Sequence, residues 1–288
     1  MQHRLFLSLV FPMSLLLVAC SSGPSMSPGE QYLSDARTGL KSSDFNAALK
    51  NLDGAIKSAG DDPLGQQAAL LRVALMTALS DAGKQLAEAY ALGVKEPPAQ
   101  SRSGAFNKMR ADYYGIARSR LMDAMQSVMD RRSKLSGNAM PIEVTFPGFT
   151  GGTDPTVTKI KSGQWAADAD RVAAETRLDR NALARILSAL AGAGQDAHKS
   201  QQLFTSGKVD IDPRVYLVEL SSSFLQIGSM FDPRGTNQPD QLRIVNQVVR
   251  GNLDVALKLL ATKPDKDLEA RVKKMQADCD KALKKLGG

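Results

Sequence analysis

The chain offers few side chains that could act as nucleophiles, metal ligands or general bases. It contains two cysteines, Cys20 and Cys279, and two histidines, His3 and His198. Cysteine supplies a thiolate, and histidine supplies a base or a metal ligand near neutral pH. His198 stands alone once a leader containing His3 is removed, and no Cys-x-x-Cys pair exists. The sequence therefore predicts no metal site built on these residues, and it predicts a core or helix-face position for Cys279.

Acidic side chains and glycine-rich loops are the other candidates for chemistry. Asp168, Asp170 and Glu175 have a spacing that suggests calcium, but the required turn glycine is absent and the stretch has a helical pattern. No phosphate-binding, dinucleotide-binding or serine-nucleophile motif occurs. We therefore expect no cofactor and no enzymatic activity. A glycosidase that uses only carboxylates leaves no motif, although the 5% aromatic content disfavours a site that stacks on sugars.

The amino terminus carries the most specific signal. A short basic start, Met1–Arg4, precedes an apolar run from Leu5 to Val18, which has the length of a secretory signal rather than of a membrane span. The run ends in Leu17-Val18-Ala19-Cys20, which resembles the bacterial lipobox. In that class of proteins, small residues such as Val18 and Ala19 fit the cleft of the peptidase that removes the leader. The thiol of the cysteine, here Cys20, is the nucleophile to which the lipid is transferred.

Membership of the lipoprotein class would imply a lipid anchor on Cys20 and removal of the signal peptide, residues 1–19. Several acyl chains together hold a protein on a membrane stably. Residues 20–30 would form the lipidated cysteine and a flexible Ser/Gly/Pro-rich linker. Ser21, rather than Asp, follows the cysteine, and this resembles sorting to the outer membrane, facing the periplasm. The anchor excludes an intramolecular disulfide with Cys279.

The chain is basic, with a formal net charge of +7, and the excess is concentrated at the C-terminus. A nucleic-acid partner is not expected, because aromatic residues are scarce and no known binding module appears. Lys281, Lys284 and Lys285 fall in the last turns of a predicted helix, where the helix dipole favours cations. Contact with anionic lipid or with an acidic partner is the alternative interpretation.

Hydrophobic periodicity predicts an all-α fold of stacked helical hairpins. Asp-Pro pairs at 62–63 and 212–213 indicate helix starts, because Asp caps a helix and Pro fits its first turn. The third helix is expected to run to Leu92, with a break near Gly83. The predicted regions are 31–135 and 164–288, both helical, separated by an irregular segment at 136–163.

The irregular segment is the predicted partner-binding loop. Residues 142–146 alternate like a short strand, and a turn-rich stretch follows them. Phe146 and Phe149 lie among glycines and Trp165 follows shortly after, so these three aromatic residues are candidates for insertion into a partner or a membrane surface. Packing between helical layers is the alternative.

The first helical pair resembles a tetratricopeptide repeat. The matching positions are Tyr32, Ala36, Phe45, Ala48, Leu52 and Ala55. Asp35, Gly39 and the late Pro63 depart from the family pattern, and a fainter echo lies at Gly251, Leu253, Ala256 and Leu260. The resemblance covers about a quarter of the chain and implies stacked hairpins with a groove that binds peptides or proteins.

Two functions follow as hypotheses. The first is a protein-binding adaptor or scaffold, tethered to a membrane of the bacterial cell envelope, with an envelope protein as its partner. The alternative is a carrier of lipid or of another small molecule, in which apolar helix 213–231 and Met-rich helix 103–135 flank a cavity.

Overall fold

A computed structural model of the chain describes residues 26–144, 152–194, 202–203 and 207–287. Within these ranges the protein is all-α, a stack of helices with one small two-stranded sheet, as the sequence predicts. The helices are α1 (Pro28–Ser42), α2 (Phe45–Ala59), α3 (Pro63–Gly93), α4 (Ser103–Arg131), α5 (Pro155–Lys161), α6 (Asp168–Leu190), α7 (Pro213–Gly228), α8 (Pro239–Thr262) and α9 (Lys266–Lys285). None of the helices in the described ranges has the length and apolar character that a bilayer span requires.

Helices α1 and α2 form an antiparallel hairpin through small residues. Ser27 and Glu30 form a capping box, so α1 begins at Pro28, inside the segment predicted as linker. Gly39 lets the two backbones approach, because a Cβ there would lie 3.0 Å from the backbone nitrogen of Ala48. The matched positions of α2 (Phe45, Ala48, Leu52 and Ala55) are buried, as is Ala36 of α1.

Helix α3 is the central element, and it contacts α1, α2, α4, α5, α6, α7 and a strand. It continues without interruption through Gly83, so the predicted break is wrong. A Cβ at Gly83 would lie 3.4 Å from that of Ala117 on α4, and the Ser80 hydroxyl donates to the Ala117 carbonyl at 2.6 Å. Gly83 therefore lies where α3 contacts α4, and it does not bend the helix.

The segment 136–163 is more regular than the sequence suggests. Strand β1 (Met140–Glu143) pairs antiparallel with strand β2 (Lys208–Ile211), and Arg37 of α1 forms an ion pair with Glu143 at 3.3 Å. Helix α5 falls inside the segment because Asp154 caps it and a proline occupies its first turn. This start has the same Asp-Pro signal as the starts of α3 and α7. The described part of the segment thus contains both a strand and a helix.

The C-terminal helices add two further layers to the stack. Helix α7 packs on α3, α4 and α6, and α8 packs on α7. Helix α8 runs without interruption through Gly251, where the absence of a side chain makes room for the Arg132 guanidinium. Helix α9 packs on α8 through Val272, Gln276 and Cys279, and this leaves its opposite side in solvent.

Candidate peptide-binding groove

A groove opens where the ends of several distant segments meet. Helix α2, the loop after it, the start of α3 and the end of α4 form its walls. Strand β1 and Tyr216 of α7 close its inner end. We call this region the α2–α4 groove. Its position is set by the central helix, which packs against each of these elements except the loop.

The inner part of the α2–α4 groove is apolar. Its apolar lining consists of Ala69, Leu70, Val73, Val128, Leu135, Met140 and Tyr216. Tyr216 is buried, and burial raises the pKa of its hydroxyl, so this group is neutral at physiological pH. The apolar inner pocket has a volume of about 40 Å³, and the adjoining outer groove, which shares Ala69 and Ser127 with it, has a volume of about 310 Å³. The inner pocket has room for a single apolar side chain, whereas drug-sized ligands occupy pockets of roughly 300–1,000 Å³.

The rim of the groove carries charges of both signs that hold one another in place. Arg72 forms an ion pair with Asp53 at 2.5 Å and donates to the Ser127 hydroxyl at 2.7 Å. Lys134 pairs with Asp61 at 2.6 Å. The hydrogen bond and the charge of Lys134 hold the pKa of Asp61 below its usual range, so this carboxylate is ionised at neutral pH.

Two more cations lie at the end of α4, and one of them, Arg132, reaches the next layer. Arg131 lies 3.7 Å from Asp61, while Arg132 donates to the carbonyl of Val248 and to the side chain of Asn252 on α8. The end of α4 is therefore fixed to both neighbouring layers. The groove therefore has an apolar floor, and its rim consists of charged side chains that pair with one another.

Of the three aromatic residues predicted to contact a partner, Trp165 is the one that lies in the described part of the chain. It is half-buried, with its ring 5.6 Å from Phe106 and 6.4 Å from Tyr90, centroid to centroid. The Arg102 guanidinium lies 5.8 Å above the ring, which is a cation–π geometry. The side chain thus packs against α3 and the start of α4, at a distance along α3 from the groove.

Three other predicted residues lie outside the described residues. They are Phe146 and Phe149 of the loop and the lipid acceptor Cys20. His198 lies outside them as well. Partner contact by the loop and lipidation of Cys20 remain predictions.

Two carboxylates of the acidic stretch of α6 lie within ion-pair distance of the same side chain, Arg171: Asp168 at 2.9 Å and Glu175 at 3.9 Å. Glu175 also accepts a hydrogen bond from the Tyr113 hydroxyl of α4, so this carboxylate links two helices. No group of three or more potential metal-ligating side chains occurs within the described ranges.

A thiol and a carboxyl group of the helices have raised pKa values. Burial raises the pKa of the Cys279 thiol to about 11, so the group stays protonated and unreactive at neutral pH. Burial raises the pKa of Asp179 on α6 to about 7, against a partial opposing effect of Arg120. Sequence reasoning missed Asp179, because a carboxyl group on a helix gives no sign of how far the neighbouring helix covers it.

Comparison with known proteins gives no relative. No protein-family model matches the chain, and neither a curated protein nor a solved structure matches it.

Proposed function

We propose that the protein is a membrane-tethered helical adaptor that binds a protein partner of the bacterial cell envelope through the α2–α4 groove. The observation that carries the proposal is the apolar inner pocket within a rim of ordered charges. Peptide recognition commonly combines an apolar anchor in a pocket with charged groups that fix its register. The sequence supplies the tether through the predicted lipid on Cys20, in the outer membrane and facing the periplasm.

The small volume of the apolar inner pocket favours the adaptor over the carrier. Helix α7 and the end of α4 do flank an apolar pocket through Tyr216 and Val128, as the carrier hypothesis requires. That pocket encloses about 40 Å³, whereas an engineered cavity that binds benzene encloses about 150 Å³. A partner side chain that enters from the outer groove needs less enclosed space than a complete lipid.

The test is crosslinking in cells, with variants that change only the pocket. Ala69 lines both parts of the groove, and Ala69→Leu would fill the inner pocket. Ala105 lies exposed on α4, away from the groove, so Ala105→Leu is the matched control. We expect one dominant envelope protein to be recovered with the parent chain and with the control, and a severalfold lower yield with Ala69→Leu. Equal recovery with both variants would refute the assignment of the groove.

The tether is tested separately. With Cys20→Ala the chain should be neither lipidated nor cleaved, so its electrophoretic mobility should differ from that of the parent chain. If the variant stays in the membrane fraction with unchanged mobility, the lipid anchor is refuted, while the groove proposal stands or falls on the crosslinking result.

A further inference from the structure

Helix α9 carries a continuous row of lysines on its solvent side. A helix advances 100° per residue, and this places six lysines within a sector of about 120° along its whole length. They are Lys266, Lys273, Lys274, Lys281, Lys284 and Lys285, and all six are exposed. We call this surface the lysine face. Ala270 and Ala277 lie between them, so no large apolar side chain interrupts the row.

Most of these charges have no partner within the described part of the chain. Lys273 pairs with Glu269 at 2.6 Å, and the other five form no ion pair there. Asp280, at one flank of the row, is engaged by Arg250 of α8 at 2.9 Å. Asp267 and Asp278 lie at the opposite edge of the sector, so the six lysines outnumber the carboxylates beside them. The lysine face therefore carries a net positive charge.

The stability of the fold does not account for this row. The helix dipole favours cations only in the last turn, whereas Lys266 is the first residue of α9 and Lys273 and Lys274 lie near its middle. The opposite side of α9 already holds the helix on α8 through buried Val272 and Cys279. Like charges arranged along about 28 Å of helix repel one another, so the row favours contact with an anionic partner and does not stabilise the fold.

The choice of lysine indicates what kind of anionic partner fits. Protein interfaces are enriched in arginine and depleted in lysine, because the planar guanidinium recognises a carboxylate with two directed hydrogen bonds. Lysine presents a flexible point charge, which suits a sheet of laterally mobile phosphates. Arg271, the arginine of α9, pairs with Glu219 of α7 instead of joining the row.

We propose that the lysine face of α9 docks on the surface of a membrane that contains anionic phospholipid. The helix lies along the surface and its six ammonium groups contact phosphates, without insertion, since only alanines accompany them. The attraction is electrostatic and so weakens with salt. This surface is distinct from the α2–α4 groove, and its action does not depend on a lipid at Cys20.

The test is lysine footprinting of the full chain with vesicles. The protein is mixed with vesicles of phosphatidylcholine alone or of phosphatidylcholine with phosphatidylglycerol, and is acetylated briefly. Acetylation at each lysine is read by mass spectrometry. Lys41, Lys50 and Lys57 are exposed on α1 and α2 and serve as internal controls. We expect protection of the α9 lysines only with phosphatidylglycerol, and its loss at high salt.

A double variant makes the test quantitative. Each lysine near an anionic surface increases binding about fivefold, so Lys274→Gln with Lys281→Gln should raise the phosphatidylglycerol concentration for half-protection about 25-fold. The matched control, Lys41→Gln with Lys50→Gln, should leave it unchanged. Equal labelling with both vesicle types, or equal protection of the control lysines, would overturn the proposal. Protection by native membranes but not by phosphatidylglycerol would also overturn it, in favour of an acidic protein.

Discussion

The substitution Gly93→Ala tests how α5 is held on the central helix. A Cβ at Gly93, the last residue of α3, would run into the carbonyl oxygen of Ile160 and lie 3.0 Å from its carbonyl carbon. The same Cβ would lie 2.9 Å from the ring of Phe106. Because the clashing atoms of Ile160 are backbone atoms of a short helix, α5 would have to retreat by about 1 Å to restore ordinary contact distances.

The expected cost follows from overpacking. Forcing one extra carbon into a close-packed site typically costs about 1–3 kcal/mol, and a helix gains less than about 1 kcal/mol when alanine replaces glycine. We expect Gly93→Ala to lower the free energy of unfolding by about 2 kcal/mol and the melting temperature by about 4–8 °C. Gly115→Ala is the matched control on α4, since a Cβ there would meet nothing within 4 Å. It should raise the melting temperature by about 2–4 °C.

Two spectroscopic measurements distinguish a local change beside Gly93 from a loss of stability of the whole protein. Circular dichroism reports helix melting, while the emission of Trp165, the only tryptophan, reports the region beside Gly93. In Gly93→Ala the tryptophan emission should shift to longer wavelength already at room temperature, because Trp165 follows α5 closely in the chain. Melting temperatures that rise in both variants, or emission unchanged in Gly93→Ala, would refute the reasoning.

Three further predictions concern polar groups that are buried or half-buried. Asp179 has a pKa of about 7 in the folded state against an ordinary value of 3.8, so the stability it contributes is complete below pH 4 and lost as the pH rises through 7. Asp179→Asn should therefore stabilise the protein at pH 8 by up to about 4 kcal/mol and hardly at pH 4, and melting curves that differ equally at both pH values would contradict this. Asp81→Ala removes the partner of Arg185, 2.8 Å away between α3 and α6, and should cost about 2–3 kcal/mol in denaturant unfolding, whereas a loss below about 0.5 kcal/mol would show that the pair is dispensable. The buried Cys279 thiol should resist alkylation at pH 8 in the folded protein and react fully in denaturant; fast labelling of the native chain would disprove its burial.

Local signals predicted the helices well because they act within a few residues. Asp62 and Asp212 each cap the helix that the sequence assigns to them. The pairing of β1 with β2 was beyond such reasoning, since about 65 residues separate the strands and neither is longer than four residues. The predicted break at Gly83 was wrong because a glycine at a helix–helix contact has the same sequence signature as a glycine that ends a helix.

The sequence predicted the fold better than it predicted the candidate groove. Its apolar pocket combines Ala69, Val128, Met140 and Tyr216, which belong to four different elements. Each of these residues fits a core position in its own element, and only the packing angles leave space between them. The lysine face of α9 shows the opposite case, because helical periodicity alone places its members on one side.

The most direct test of the adaptor account is site-specific photo-crosslinking in cells. A photoreactive residue placed at Ser127, on the wall of the groove, should give one dominant crosslinked envelope protein, and the same residue at Ala105 should not. The product from Ser127 should also diminish when Ala69→Leu fills the pocket. No specific product from Ser127, or the same product from both positions, would contradict the claim that this groove binds a protein partner.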